Sequence, residues 1–294
     1  MTNQKTESKR DVYEIITDRI INKLEQGVIP WKKQWTESGI PQNAITKRPY
    51  RGINLLLLSS LAYDHNLYLT KKQVTDIGGT IKENEKPEIV VFWKWPEEKE
   101  TEDGKKAKPI LRYYSVYNIA QCEGIPESMM PNESPFRENN PIVVCAEIVE
   151  NMPKKPQIKS KENRAYYHPF YDFINMPKME KFDDSESYYD VLFHELVHST
   201  GHISRLDRKD VAQMKSMGAD AYSFEELIAE IGACFLSSIS GIDIHFENDV
   251  AYIKAWIEKL KNDKRFIIDA SAKAQKAVDF ILNVKSDEEE TGAV

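Results

Sequence analysis

The segment HELVH at residues 194–198 constrains this chain more than any other feature of its sequence. It lies within Ser187–Thr200, where apolar residues recur at helical spacing. Residues four apart lie on one face of a helix, so the His194 and His198 imidazoles can reach the same ion. Glu195 projects about 100° further round the helix, where it can hold a water molecule. The spacing therefore predicts a helix that binds zinc through two histidines, with Glu195 as the general base.

A catalytic zinc site needs a third protein ligand and one open position. The helix predicted over Ser223–Ser240 offers Glu226 and Glu230, which share one face beside an apolar stripe. A carboxylate on such a face is costly unless it is paired or bound to metal. The spacing of the two carboxylates resembles that of the glutamate zincins, in which the first binds the metal and the second orients a ligand histidine. The resemblance implies that Glu226 is the third ligand and Glu230 the orienting residue, although either carboxylate could reach the ion. We expect Glu225 to face solvent.

The composition indicates a globular protein with room for two domains. The chain has 294 residues, of which 41% are hydrophobic and 30% charged. No apolar run approaches the roughly 20 residues that span a bilayer, and the polar start MTNQKTESKR lacks a signal peptide. The three cysteines are widely spaced without a CxxC motif. These features predict a cytoplasmic protein with reduced thiols and no membrane partner.

The front of the chain combines basic and aromatic residues. Residues 1–120 carry 20 Lys and Arg against 16 Asp and Glu, whereas residues 121–294 carry 20 against 31. Rings that stack on bases and cations that meet phosphates are typical of single-stranded nucleic-acid binding. The alternative is that the aromatic residues form a core beneath solvated lysines. The candidate DNA contacts are Trp31, Lys32, Lys33, Trp35, Tyr50, Arg51, Asn54, Trp93 and Tyr113.

The order of predicted elements indicates an α+β fold. Helices are predicted over residues 12–24 and 55–67, and strands at 89–95 and 111–119 form an antiparallel hairpin. Residues 165–177 predict two short strands around a turn, and amphipathic helices are predicted over 249–262 and 264–283. We expect one domain over residues 1–125, a second over 140–285, and a disordered tail over 286–294.

Several segments of the chain resemble the ArdC-type antirestriction proteins of plasmids and other mobile elements. They include DVYEIITDRIINKLEQGVIPWKKQW, the run from Asn43 to Leu58, YYSVYNIAQ, YDFINMP, HELVHSTGH and FEELIAEIGACFL. The resemblance implies an N-terminal domain that binds single-stranded DNA and a C-terminal zincin-like metallopeptidase domain. It also implies protection of incoming DNA from host restriction, with His194, Glu195, His198 and Glu226 at the metal site.

Three functions follow from these patterns. The first is a DNA-binding antirestriction protein with a zinc metallopeptidase domain, whose Glu195 takes a proton from water and then protonates the leaving amine of an unidentified protein or peptide substrate. The second is a DNA-binding protector that is not an enzyme and whose zinc is structural or vestigial. The third is a peptidase whose front half recognises protein rather than DNA.

Overall fold

The computed structural model describes residues 11–32, 39–61, 63–96, 108–130, 140–209, 211, 223–242 and 250–284. Its α-helices are α1 (Val12–Glu25), α2 (Ile53–Ser59), α3 (Lys71–Asp76), α4 (Pro141–Asn151), α5 (Ser185–Thr200), α6 (Phe224–Ser240), α7 (Val250–Asn262) and α8 (Phe266–Ile281). Its strands are β1 (Gln42–Asn43), β2 (Leu67–Leu69), β3 (Thr80–Ile81), β4 (Glu88–Lys94), β5 (Ile110–Asn118), β6 (Cys122–Glu123), β7 (Gln157–Lys159), β8 (Tyr166–His168) and β9 (Phe173–Asn175). The described residues combine helices with three small sheets in which four of the six strand pairs are antiparallel, so the α+β class is confirmed. The tail predicted over 286–294 lies outside the described residues.

The front sheet is built around the predicted hairpin. Strands β4 and β5 pair antiparallel from Glu88 opposite Val116 to Lys94 opposite Ile110. The strand order is β1-β2-β5-β4, which leaves β4 at an edge. The prediction of an antiparallel hairpin is therefore confirmed. One edge of β4 has no neighbouring strand among the described residues.

The second helix is shorter than its sequence pattern predicted. The prediction extended it to Leu67, but α2 ends at Ser59 and Leu67 begins β2. At the end of α2, the Ser59 hydroxyl donates to the Leu55 carbonyl and the Ser60 hydroxyl donates to the Leu57 carbonyl. Bonds of this kind weaken a helix only slightly. The polar residues Asp64, His65 and Asn66 follow, and Asp and Asn favour turns, so the apolar pattern of α2 does not continue to Leu67.

The rear of the molecule contains the helices that carry the candidate site. Helix α5 begins at the N-cap Asp184, whose carboxylate accepts from the Ser187 amide at 2.6 Å. Helix α6 begins at the N-cap Ser223, whose hydroxyl accepts from the Glu226 amide at 3.2 Å. Such caps satisfy amides that have no partner within the helix and fix where the first turn starts. Because Ser223 caps α6, Glu226 lies in its first turn.

One hydrophobic core joins the front and rear of the chain. Ile16 and Ile20 of α1 and Leu56 of α2 are fully buried in the same cluster as Phe193 of α5 and Trp256 of α7. Helix α1 packs on α7, and α2 packs on α8. No helix among the described residues is long and apolar enough to cross a membrane.

Candidate metal centre

Helices α5 and α6 run antiparallel and pack closely. Near one end of the pair, His198 lies beside Glu225, and towards the other Ser237 donates to Asp190 at 3.1 Å. Gly232 makes this approach possible, because a Cβ at that position would lie 2.7 Å from a methyl carbon of Val197. The close packing places side chains of α6 directly over the histidines of α5.

Three side chains converge between these helices. The Nε2 atoms of His194 and His198 lie 3.0 Å apart, and the two oxygens of Glu226 lie 3.3 Å and 3.5 Å from them. Each residue offers one ligand atom, and these atoms lie within 4.8 Å of one another. Two nitrogens that share a tetrahedral ion at about 2.0–2.1 Å lie about 3.3 Å apart. The donor set and its spacing therefore fit one divalent metal ion.

Glu225 supports the site from behind, contrary to the expectation that it faces solvent. Its side chain is 2% exposed, and one carboxylate oxygen lies 3.4 Å from Nδ1 of His198. Arg208 donates to both of its oxygens, at 3.0 Å and 2.5 Å. A carboxylate on the outer nitrogen of a ligand histidine fixes the ring and its tautomer. Glu225 therefore has the role that was expected of Glu230, which is to orient a ligand histidine.

The charges of these groups are strongly coupled. Burial alone would lower the pKa of His198, but hydrogen bonds to Glu225 and Glu226 outweigh it and raise that pKa to about 10. Burial alone would raise the pKa of Glu226. Its interactions with His194 and His198 outweigh burial and hold that pKa well below its usual range. The carboxylates of Glu225 and Glu226 favour a positive charge between them, and a metal ion that binds His198 has to take the place of the proton there.

Glu195 lies at the edge of the ligand cluster. It is 8% exposed, and its negative charge contributes to the raised pKa of His198. His194 and Glu226 remain 24% and 18% exposed, so the cluster is open on one side. A carboxylate near a ligand set that is open to solvent is one of the features expected of a hydrolytic metal site.

Glu230 lies one turn along α6 from Glu226 and has different partners. Its Oε2 accepts from Nε1 of Trp31 at 2.9 Å and from the hydroxyl of Tyr252. Among the described residues it bonds no histidine, so the expectation that it orients a ligand histidine is wrong. Burial raises the pKa of Glu230, against the hydrogen bond from Tyr252 and the nearby charges of His194 and Lys32.

Trp31 and Lys32 were predicted to contact DNA, but in the structure they contact residues of the metal domain. Trp31 is 2% exposed and packs edge-on against Trp256, with ring centroids 5.8 Å apart. The Lys32 ammonium lies 4.1 Å from the centre of the Tyr252 ring. Trp31 is therefore a core residue and cannot stack on a base. Lys33 and Trp35 lie outside the described residues.

The next three predicted DNA contacts also make internal interactions. Arg51 pairs with Asp279 of α8. Tyr50 is half-buried and packs edge-on against Tyr68 at 6.1 Å. The Asn54 amide bonds both the N–H and the C=O of Val91 at 2.7 Å, which satisfies part of the free edge of β4. Composition alone could not distinguish these residues from surface contacts.

The tip of the β4–β5 hairpin has the exposed aromatic surface that was predicted. Trp93 is 41% exposed and Tyr113 is 48% exposed. Both lie on the face of the hairpin on which Ile89 and Val91 are buried in the core. On the opposite face, Phe92 is 37% exposed beside Tyr114, with the exposed Arg112 directly across from it. Phe92 was missed because the run IVVFWKW gives no indication of which aromatic residues reach solvent.

The helix pairing and its ligands define the class of the protein. Two histidines four residues apart on one helix, a glutamate between them and a carboxylate from a second helix form a zincin-like centre. Residues 147–273 match the model of the zincin-like metallopeptidase domain. Residues 10–117 match the model of the N-terminal domain of anti-restriction factor ArdC. The chain belongs to the ArdC family of antirestriction proteins.

Solved structures and other relatives agree with this assignment. The metal-free crystal structure of the antirestriction protein ArdC from the R388 plasmid is 35% identical, with a TM-score of 0.74 over 92% of this chain and 97% of that one. Its Mn(II)-bound structure is 34% identical, with the same TM-score, over 95% and 100%. The protein y4eC of Sinorhizobium fredii is 29% identical over 98% of this chain and 97% of that protein. DNA primase TraC of Escherichia coli is 31% identical over 94% of this chain, which spans 27% of TraC.

Proposed function

We propose that this chain is an antirestriction protein that binds single-stranded DNA through its N-terminal domain and hydrolyses peptide bonds at a zinc centre. The convergence of His194, His198 and Glu226 within 4.8 Å is the observation that carries the peptidase part. The Glu225 carboxylate behind His198 and the buried Glu195 add to it. The name and Mn(II)-bound state of the plasmid ArdC support a divalent metal and a role in countering restriction.

The proposed chemistry assigns a task to each side chain. His194, His198 and Glu226 would hold the ion, which when bound supplies a Lewis acid for the substrate carbonyl and for water. Glu195 takes a proton onto its carboxylate as water attacks the carbonyl carbon, and then passes it to the nitrogen of the leaving amine. Glu225 keeps the His198 ring turned towards the ion, and its own negative charge is compensated by Arg208.

The first test measures metal content of the purified protein by elemental analysis. We expect close to one zinc per chain in the wild type, and loss of zinc in His194→Ala and Glu226→Ala. Glu230→Ala is the matched control, because its carboxylate lies one turn away and bonds Trp31 and Tyr252. Zinc retained by Glu226→Ala but lost from Glu230→Ala would reverse the ligand assignment. Competition with Mn(II) establishes which ion the site prefers.

The second test separates an enzyme from a protector that does not cut protein. Glu195→Gln removes the proton acceptor but leaves the three ligands in place. We expect this variant to keep its metal and lose cleavage of an unfolded protein or peptide library by at least about a hundredfold. If the zinc-loaded wild type cleaves nothing that Glu195→Gln spares, the alternative of a structural or vestigial metal holds.

The third test concerns DNA binding by the hairpin. Phe92, Trp93, Tyr113 and Arg112 offer rings and a cation at the exposed tip. Phe92→Ala with Arg112→Ala should weaken binding of a labelled oligothymidylate about tenfold or more and reduce its dependence on salt. Ile45→Ala, a substitution at another exposed apolar residue of the front half, is the control. Salt-independent or absent oligonucleotide binding by the wild type would favour protein recognition by the front half.

A further inference from the structure

An aromatic surface covers the outer face of the three-stranded sheet in the metal domain. Its rings follow one another at centroid separations of 4.9 Å, 4.8 Å, 5.3 Å and 6.0 Å. The stacking of His168 on Phe173, with 18° between the ring planes, lies in the middle of the row. We call this row the outer aromatic face; in order, its members are Phe170, Tyr171, His168, Phe173 and Tyr166.

The sheet pattern explains why these rings face outward. Strand β9 lies between β7 and β8, and residues directly opposite each other share a face. Tyr167 and Ile174 are buried in the core, so the alternate residues point away from it. At the turn between β8 and β9, Phe170 is 82% exposed and Tyr171 68% exposed. Tyr166, His168 and Phe173 are half-buried, so the row runs from two exposed rings onto the sheet. Exposed rings that adjoin one another are a mark of a binding surface.

The charge of this segment differs from that of the chain around it. Residues 154–181 carry seven Lys and Arg against three Asp and Glu, whereas the rest of residues 121–294 carries 13 against 28. The Lys159 ammonium lies 4.0 Å from the centre of the Phe173 ring. Lys161 and Arg164, both exposed, lie in the connection that leads to β8. A basic, aromatic sheet face is thus set into an acidic half of the molecule.

We infer that the outer aromatic face is a second contact surface for single-stranded nucleic acid, on the metal domain itself. This inference rests on the proposed binding of single-stranded DNA and adds a site outside the N-terminal domain. Unpaired bases can stack on rings such as Phe170 and Tyr171, and flanking cations such as Lys159 can meet the phosphates. Single-stranded nucleic acid uses rings and cations together, which is the combination that this face presents.

The direct test is fluorescence anisotropy of a labelled oligothymidylate with the full chain. Phe170→Ala with Tyr171→Ala removes two rings that are 82% and 68% exposed, so the fold should be retained. We expect roughly a tenfold or greater loss of affinity. Ile203→Ala, at a residue of the same domain that is 76% exposed, is the matched control for loss of exposed apolar surface. Thermal melting of each variant checks that the fold is unchanged.

A charge variant provides an independent measurement. Lys159→Glu should weaken binding and flatten the dependence of affinity on salt concentration, because a phosphate contact is lost. Lys254→Glu, at an exposed lysine of α7, makes the same change of charge away from this face and should have a much smaller effect.

The outcomes separate this inference from the proposed function. If the wild type binds oligothymidylate and Phe92→Ala with Arg112→Ala weakens it, but both outer-face variants bind like the wild type, the second surface is overturned and a protein becomes its occupant. If the wild type binds no single-stranded DNA at all, the proposed DNA-binding function fails together with this inference. Losses in both outer-face variants, with neither control affected, support the second surface.

Discussion

The most informative single residue is Glu225, because its role depends on a partner distant in sequence. Its carboxylate is 2% exposed and lies between His198 and Arg208. Burial raises its pKa, but the hydrogen bonds from His198 and Arg208 outweigh this and lower it. A buried charge of this kind persists only when it is fully paired. The residue therefore links the stability of the α5–α6 pair to the orientation of the ligand His198.

Glu225→Gln tests both consequences. Loss of the charge leaves Arg208 buried without a carboxylate, so the free energy of unfolding should fall by about 3–5 kcal/mol. Metal affinity should fall by about 10–100-fold, because the His198 ring loses its orienting partner. Chemical denaturation and zinc titration measure the two effects. Glu147→Gln, at an exposed position of α4, is the control; equal effects from the two variants would contradict the role of Glu225.

Trp31→Phe tests whether Trp31 belongs to the core or to a DNA surface. The substitution keeps an aromatic ring but removes the N–H that donates to Glu230 at 2.9 Å. Tyr252 still donates to Glu230 in this variant, but loss of the second hydrogen bond to a buried carboxyl group costs about 1–3 kcal/mol, so the variant should unfold at lower denaturant concentration. The oligonucleotide affinity of Trp31→Phe should be unchanged. Trp93→Phe, at an exposed ring of the hairpin, should leave the free energy of unfolding unchanged. Normal stability with weakened DNA binding in Trp31→Phe would restore the original assignment.

Sequence periodicity predicted the elements better than it predicted the environment of individual residues. The amphipathic patterns correctly predicted the helices α1, α5 and α6, and the β-branched run correctly predicted β4. The spacing of buried residues along the chain distinguishes a helix from a strand, and that spacing can be read from the sequence. The pairing of Glu225 with Arg208 and of Trp31 with Glu230 joins residues 17 and 199 positions apart. No local pattern carries that information, so Glu225 was expected in solvent and Trp31 on DNA.

At the scale of elements, the site depends on how closely α5 and α6 approach. A Cβ on Gly232 would lie 2.7 Å and 2.9 Å from the two methyl carbons of Val197. Valine has restricted side-chain rotamers in a helix and cannot turn away easily. The glycine therefore sets the separation of the two helices, and with it the distance between Glu226 and the histidines.

Gly232→Ala should push the helices apart. We expect a loss of about 1–3 kcal/mol in stability through overpacking and a measurable loss of zinc affinity. Val197→Ala removes both methyl groups, so the double variant should recover much of the affinity lost by Gly232→Ala. A double-mutant cycle on zinc binding measures this coupling. Strictly additive effects would show that the contact does not control the site.

A second element-scale feature is the ion pair that ties the β8–β9 turn to the end of α5. Arg205 donates to both oxygens of Asp172 at 2.8 Å and 2.9 Å, and to the Ser199 carbonyl at 3.0 Å. Burial raises the pKa of Asp172, but hydrogen bonds from Arg205 and Tyr167 outweigh it and lower the pKa. The turn also bends at Asp172, whose φ is 49°.

The lowered pKa of Asp172 predicts a loss of stability in acid. A carboxyl group whose folded pKa lies below its unfolded value stabilises the fold above the unfolded pKa, about 3.9, and loses that contribution as pH falls through the folded value. Asp172→Asn, which tolerates the same backbone angle, should therefore have a lower melting temperature at pH 7 and a smaller further drop below pH about 4. Parallel pH profiles of the two proteins would contradict this contribution.

At the scale of the whole molecule, the N-terminal and metal domains share one core. The apolar faces of α7 and α8 pack on α1 and α2, and Trp31 contacts both Trp256 and Glu230. Family models divide the chain at residues 117 and 147, but the packing does not follow that division. The metal helix α6 is thus held partly by residues of the front half.

Removal of the front half therefore tests how independent the metal domain is. A fragment over residues 140–285 would expose the buried surface that α1 and α2 cover, including the side chains around Trp256. Because each square ångström of apolar surface returned to water costs about 25 cal/mol, we expect the fragment to melt well below the full chain or to aggregate. It should also bind zinc more weakly, since α6, which carries Glu226, loses the contacts with the front half that help to hold it in place. Adding residues 11–125 as a separate chain should recover part of both losses, as followed by thermal melting and zinc titration. A fragment with the melting temperature and zinc affinity of the full chain would show that the shared core contributes little to the site.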